Sequence, residues 1–443
     1  MLLGKNLQIL HALLSMPYAA QTAEPHVPVV SPWMILPFLL LLLAIAVAPF
    51  VHRHWWEKNY PIVALGLGFL VFSYYLLYLD YHRMVETFLD YFSFIVLIGS
   101  LFVAAGGIFI HTERHATPLT NTGLLAAGAV ISNLLGTTGA SMLLIRPFIR
   151  INKLRIREFH VVFFIFVVSN VGGALTPIGD PPLFLGYLNF VPFHWTLVRV
   201  WHVWLLALVL VLGVFFVLDT ISYRRWVKER KSEPKPSRIQ LQGTQNFFFL
   251  LIILVAVFAG TPVRELIMIA AAGAAHRFAG KEALRANEFN FTPIREVAIL
   301  FAGIFATMVP ALDWLELNAD RLGIRTPGQF FWASGILSSF LDNAPTYLNF
   351  LSAALGLHHL VLGNAEHMRS FISDHGKFLQ AISVGSVFFG ANTYIGNGPN
   401  FMVKAIADHQ KAHTPTFLGY VFRFTLPFML PMLLIVWWVF FRG

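Results

Sequence analysis

Apolar and polar positions alternate along this chain in long blocks, and the apolar blocks are of two kinds. Continuous runs lie at about 33–51, 61–79, 92–110, 198–222, 247–260, 294–309 and 416–441, with a weaker one at 262–275. A hydrocarbon core about 30 Å thick is crossed by roughly 20 helical residues, so these runs predict transmembrane helices. Four other apolar stretches, 122–145, 160–190, 331–355 and 378–406, are interrupted by Gly, Pro, Asn, Ser and Thr. At membrane depth the backbone leaves the helix only where it is buried in protein or lines a wet cavity. The interruptions therefore mark where function is expected.

Composition agrees with a lipid solvent. Of 443 residues, 57% are hydrophobic and 12% charged, about half the charge a soluble domain carries. The net charge of +9 could suggest nucleic acid, but its placement argues against such a partner. The bases gather in two loops: Arg146, Arg150, Lys153, Arg155 and Arg157 in one, Arg224, Arg225, Lys228, Arg230, Lys231, Lys235 and Arg238 in the other. Basic loops stay in the cytoplasm, and the reading is a multi-pass protein of a bacterial inner membrane. There is no cysteine, which excludes disulfides, thiolate metal sites and cysteine nucleophiles. Within residues 1–32, Lys5, a short apolar stretch and Pro17-Tyr18-Ala19-Ala20 read as a signal-like segment or a short helix.

With both basic loops inside, 160–190 must cross outward and 198–222 must return. Stretch 122–145 must leave and re-enter the same side, as a hairpin. Carried forward, 331–355 becomes a second hairpin entering from outside, and the C-terminus lies outside. The polar segment 223–243, with Pro234 and Pro236, reads as a cytoplasmic linker between two transmembrane repeats, 33–222 and 244–443.

The halves share a pattern. Residues 173–184 (GALTPIGDPPLF) align without gaps on 390–401 (GANTYIGNGPNF), and seven of twelve positions match, at an offset of 217. The hairpin segments 131–139 and 337–345 align more weakly at an offset of 206. One duplication explains both. Five crossings plus one hairpin per half would insert the second copy upside down, so the expected fold is an all-α polytopic membrane protein of two inverted-topology repeats. Each repeat carries a re-entrant hairpin and a broken transmembrane helix, and such proteins bind cargo where the interrupted segments meet.

Polar groups gather at the interruptions. The first half supplies Ser132, Asn133, Thr137, Thr138, Ser169, Asn170, Thr176 and Asp180; the second supplies Ser338, Ser339, Asp342, Asn343, Thr346, Asn392, Thr393, Asn397 and Asn400. Hydroxyls, amides and freed carbonyls are oxygen ligands suited to alkali cations. Asp180 and Asp342 matter most, because a carboxylate at membrane depth costs roughly 2.5–3.5 kcal/mol and usually marks a proton or cation path. The competing reading is that each merely caps the helix that follows it. His160, His202 and Arg423 read as interfacial or snorkelling side chains. No catalytic constellation and no phosphate-binding loop is visible, so neither an enzyme nor an ATP-driven pump is expected, and no cofactor is implied.

At Ser132-Asn133 with Gly136-Thr137, the pair Ser169-Asn170, and Gly390-Ala391-Asn392-Thr393, the chain resembles the ion transporter superfamily. That group includes NhaD-type sodium/proton antiporters, ArsB arsenite carriers, CitMHS citrate carriers and divalent anion/sodium symporters. The resemblance implies sodium-site positions at Ser132, Asn133, Thr137 and Gly173, with Ser338, Asp342, Asn343 and Asn392, and it implies a homodimer. At the second hairpin Asp342-Asn343 resembles the Asp-Asn dipeptide of the NhaD-type proteins. The expected function is accordingly a sodium or lithium/proton antiporter in which Asp342 and Asp180 are shared cation and proton sites, helped by Asn170, Thr176, Thr393 and Asn397. Sodium-coupled citrate or carboxylate transport is the alternative, and arsenite or oxyanion efflux a third.

Overall fold

The computed structural model describes residues 28–443 apart from 80, 113–116, 230–238 and 288. Residues 1–27 of the signal-like segment and 230–238 of the basic linker lie outside the described residues. After a 3-10 turn at Pro32–Ile35 come α1 (Leu36–Val51), α2 (Arg53–Tyr78), α3 (Tyr81–Gly106), β1 (Phe109–Thr112) and α4 (Pro118–Ile151). They are followed by α5 (Glu158–Val167), α6 (Pro181–Leu188) and α7 (Trp195–Glu229). The second half holds β2 (Ile239–Gln242), α8 (Gln245–Ala256), α9 (Val263–Phe278), α10 (Lys281–Ala286), α11 (Thr292–Asn318), α12 (Pro327–Ser338), α13 (Asn343–Leu357), α14 (Ala365–Phe389) and α15 (Gly398–His409). The last helix, α16 (Phe417–Phe440), contains a π-helical stretch at Val421–Met429 around Pro427.

Among the described residues seven helices are long and apolar enough to cross a membrane, so the chain is an all-α polytopic membrane protein. One of the seven does not run straight. Helix α4 has 34 residues and would reach about 50 Å if extended, yet Asn121 near its start and Asn152 just beyond its end exchange amide hydrogen bonds of 2.9 and 2.8 Å. The chain folds back at Gly136, whose φ of 73° is a left-handed conformation open to glycine without steric cost. Helices α12 and α13 form the second such hairpin, with Phe330 and Phe350 of opposite arms in ring contact.

The hairpins open at opposite ends of the molecule. The first opens beside the ends of α3 and α7: β1 pairs antiparallel with β2, and Arg150 stacks over the Phe109 ring. The Asn287 amide, just before α11, donates to Gly106 and Ile108 carbonyls at this same end. Helix α11 then runs 27 residues to the far end. There Glu316 meets the base of the second hairpin at Ser352 and Leu362, and Gly328 lies against the backbone of Phe441. The first basic loop and the described bases of the second, Arg224, Arg225 and Lys228 at the end of α7, therefore sit at one end.

Three predicted elements need correction. Stretch 247–260 forms a helix of only 12 residues, Gln245–Ala256, about 18 Å long and packed on α9, because Gly260-Thr261-Pro262 ends it. Helix α3 begins 11 residues before the predicted 92–110 run and takes in Arg83, Glu86 and Asp90; the protein supplies Arg83 with acidic partners there. Two short strands join a chain expected to be wholly helical.

Candidate functional site

The site is assembled from four loops that the interruptions create, and corresponding positions of the two halves make corresponding contacts. Thr176 Oγ1 donates to the Asn133 carbonyl at 2.6 Å, and Thr393 Oγ1 donates to the Ser339 carbonyl at 2.5 Å. Each threonine hydroxyl then accepts from a glycine N–H, of Gly179 or Gly396, at 3.1 Å. Ser132 Oγ donates to the Val168 carbonyl at 2.7 Å, and Ser338 Oγ to the Ser386 carbonyl, one residue on from the aligned position, at 2.6 Å. The glycine pairs also correspond: a Cβ on Gly179 would lie 2.1 Å from the Gly173 carbonyl oxygen, and one on Gly396 would lie 2.5 Å from that of Gly390. Only glycine permits these approaches, which explains the repeated Gly-x5-Gly spacing.

Asp180 lies at the centre and is fully buried. Its carboxylate accepts from Thr137 Oγ1 at 2.7 Å, from Asn343 Nδ2 at 2.9 Å and from Asn397 Nδ2 at 3.1 Å. Thr137 and Asn343 are equivalent hairpin-turn positions, and Asn397 is the counterpart of Asp180 itself, so both halves converge on one acid. Asp180 stands at the N-cap of α6, but its side chain makes no cap hydrogen bond. The capping reading therefore fails for Asp180. Asn170 extends the cluster, donating to Asn400 Oδ1 at 2.7 Å and accepting from Asn397 at 3.2 Å.

Asp342 differs. It is half-buried and does cap its helix, accepting from Ala344 N at 3.1 Å. It borders a crevice shared with Thr138, Pro181, Asn397 and Gly398, walled by Ile98 and Phe102 of α3 and Pro293, Ile294, Val297 and Phe301 of α11. About 30 Å³ there is open to the centre of a water molecule, room for a water or two. A neighbouring crevice reaches Gly136 and Thr137.

Among the predicted cation ligands, Thr137, Asn170, Asp180, Asn343 and Asn397 form the central cluster, while Ser132, Thr176, Ser338 and Thr393 pin loops. Asn133 is wholly engaged with backbone: its amide nitrogen donates to Ala129 and Gly172 carbonyls, and its Oδ1 accepts from Leu175 N at 2.8 Å. Asn392 donates to Ser339 Oγ at 2.9 Å, and its Oδ1 is buried without a partner. Asp342 and Asn392 thus hold the oxygens best placed to take a hard cation. Among the described residues no three His, Asp or Glu side chains gather as metal ligands.

Ionic clusters escaped the sequence reading, among them the buried pair Arg264 and Glu265 with Ser93 and two others. Asp219 of α7 binds Arg155, Asn121 and His160, the last at 3.1 Å. His160 is fully buried, so it is not an interfacial side chain. At the other end Asp313 of α11 accepts from Arg83 at 2.7 Å and from Tyr75 at 2.7 Å, and Glu316 stands 3.7 Å from Arg83. The available signal was Asp219 inside the apolar run 198–222 and His160 at the start of 160–190, where charges require partners; Arg83, Asp313 and Glu316 fall just outside the predicted runs.

A family model described as "Putative citrate transport" matches residues 28–441. No curated protein matches the chain.

Proposed function

Because the chain belongs to this CitMHS_2 citrate-transport family, we propose that it is a secondary transporter that carries a carboxylate of the citrate class, coupled to a proton or sodium ion at Asp342. The observation carrying this reading is the crevice, where one half-buried acid stands among the first residues of three helices: Pro181 of α6, Asp342 before α13 and Gly398 of α15. Helix N-termini attract carboxylates, and the acid takes the coupling cation. Without that cation the acid would repel the cargo, which is a physical basis for obligatory coupling. Asp180, held by three donors, is proposed to lock the four interrupted segments in register. The two halves act as inverted repeats flanking the linker 223–243, with the hairpins re-entrant from opposite sides of a bacterial inner membrane and the basic face cytoplasmic.

Uptake of labelled citrate by proteoliposomes, driven by an imposed proton or sodium gradient, tests the reading. No uptake under either gradient contradicts it. A second reading, sodium/proton antiport, is favoured by one observation: the residues lining both crevices include Asp342 but no Lys, Arg or His. Sodium-driven proton efflux without citrate would select it.

A further inference from the structure

The crevice at Asp342 is bounded on α11 by Pro293, Ile294, Val297 and Phe301, the half of that helix nearest the basic face. At the opposite end α11 is sealed to the second hairpin. Glu316, 7% exposed, accepts from Ser352 Oγ and from Leu362 N, both at 3.2 Å. A Cβ on Gly356 of α13 would lie 2.3 Å from the Glu316 carbonyl oxygen, so the two helices touch there backbone to backbone. The same carboxylate stands 3.7 Å from Arg83 of α3, and Arg83 is fixed by both its Nε and NH2 to Asp313. One acid therefore joins α3, α11 and the base of the second hairpin, at the end of α11 away from the Asp342 crevice.

We propose that Glu316 is a positioning residue that latches the outer side of the carrier, holding the structure with its site open toward the basic face. This rests on the transporter reading in one respect, that the site opens alternately to the two sides. Its charge does the holding: a carboxylate accepts two hydrogen bonds and attracts the guanidinium, and charged acceptors make hydrogen bonds about twice as strong as neutral ones. For the site to open outward, the Ser352 and Leu362 contacts must part from α11. Asp313 pairs with Tyr75 of α2 and Arg83 of α3, contacts that need not part for the second hairpin to leave α11. Glu316 is thus the member of the acidic pair that spans the moving boundary.

The test reads sidedness, not transport. Val297→Cys and Met402→Cys, placed singly in the otherwise cysteine-free full chain, stand half-buried at the rim of the crevice and are read by a small membrane-impermeant methanethiosulfonate. In the parent, labelling is expected from the basic face and not from the other. Adding Glu316→Gln should lower that rate and raise labelling from the opposite face by about tenfold, and Ser352→Ala should act in the same direction with a smaller effect. Unchanged labelling in Glu316→Gln and Ser352→Ala, in protein that stays monodisperse, overturns the latch. So does a parent labelled equally from both sides. Because labelling needs no cargo, a chain that moves no citrate can still show the latch, and the two ideas fail separately.

Discussion

Asn343 places its amide nitrogen 2.9 Å from the carboxylate of Asp180, across 163 residues of sequence. The contact joins the second hairpin to the broken helix of the first half. Two of the strongest sequence candidates are thus bonded to each other, with the acid accepting and the amide donating, so neither waits as a free cation ligand.

Asp180→Asn should therefore damage the protein as well as its transport. An amide keeps one acceptor oxygen and turns an NH2 toward donors already aimed at a carboxylate. Loss of charge-assisted hydrogen bonds costs about 1.5–3 kcal/mol each. A clearly lowered melting temperature in detergent and lost transport are expected; a variant as stable as the parent would show that the three donors do not hold the four segments together.

Asp342→Asn should behave in the opposite way. Its cap to Ala344 needs only one acceptor oxygen, which Asn supplies about as well as Asp. Stability should fall by no more than about 1 kcal/mol, because Asn keeps the helix cap that Asp342 makes, while coupled transport is lost. A marked fall in stability would mean that the cap is its main task.

The Asp219 cluster is expected to be structural. Arg155 and His160 are both buried beside Asp219, and removing one partner of a buried pair costs about 3–5 kcal/mol. Asp219→Ala should therefore fold poorly or melt much earlier, and a change too small to detect by thermal denaturation would contradict the assignment.

Much of this arrangement was legible from residue pattern alone. The repeated Gly-Ala-x-Thr-x-Ile-Gly segment located both broken helices because close glycine contacts demand the same residues in each half, and the basic loops located one face. What sequence could not show was pairing. Nothing local says that Asn133 would be consumed by backbone carbonyls, that Asp180 would draw donors from both halves, or that Arg83 would find Asp313 230 residues away. The reading of 92–110 as a span starting late failed for this reason: charges that look unfit for lipid are acceptable once a distant segment neutralises them. His160 was misjudged in the same way.

Topology gives an independent check. Lys153 in the first basic cluster and Glu366 at the start of α14 are both exposed and lie at opposite ends of the fold. Single cysteines at 153 and 366 should label from the cytoplasm and from outside, respectively. Labelling of both from one side would contradict the inverted arrangement of the two hairpins.

The central claim is that Asp342 couples a cation to cargo movement at the crevice. It is tested most directly by measuring labelled citrate uptake and dye-reported proton movement together, in proteoliposomes of the parent and of Asp342→Asn. The parent should take up citrate only with a proton or sodium gradient, and the variant, equally well folded, should show no gradient-driven uptake. Gradient-driven citrate uptake by Asp342→Asn at the rate of the parent would contradict the account.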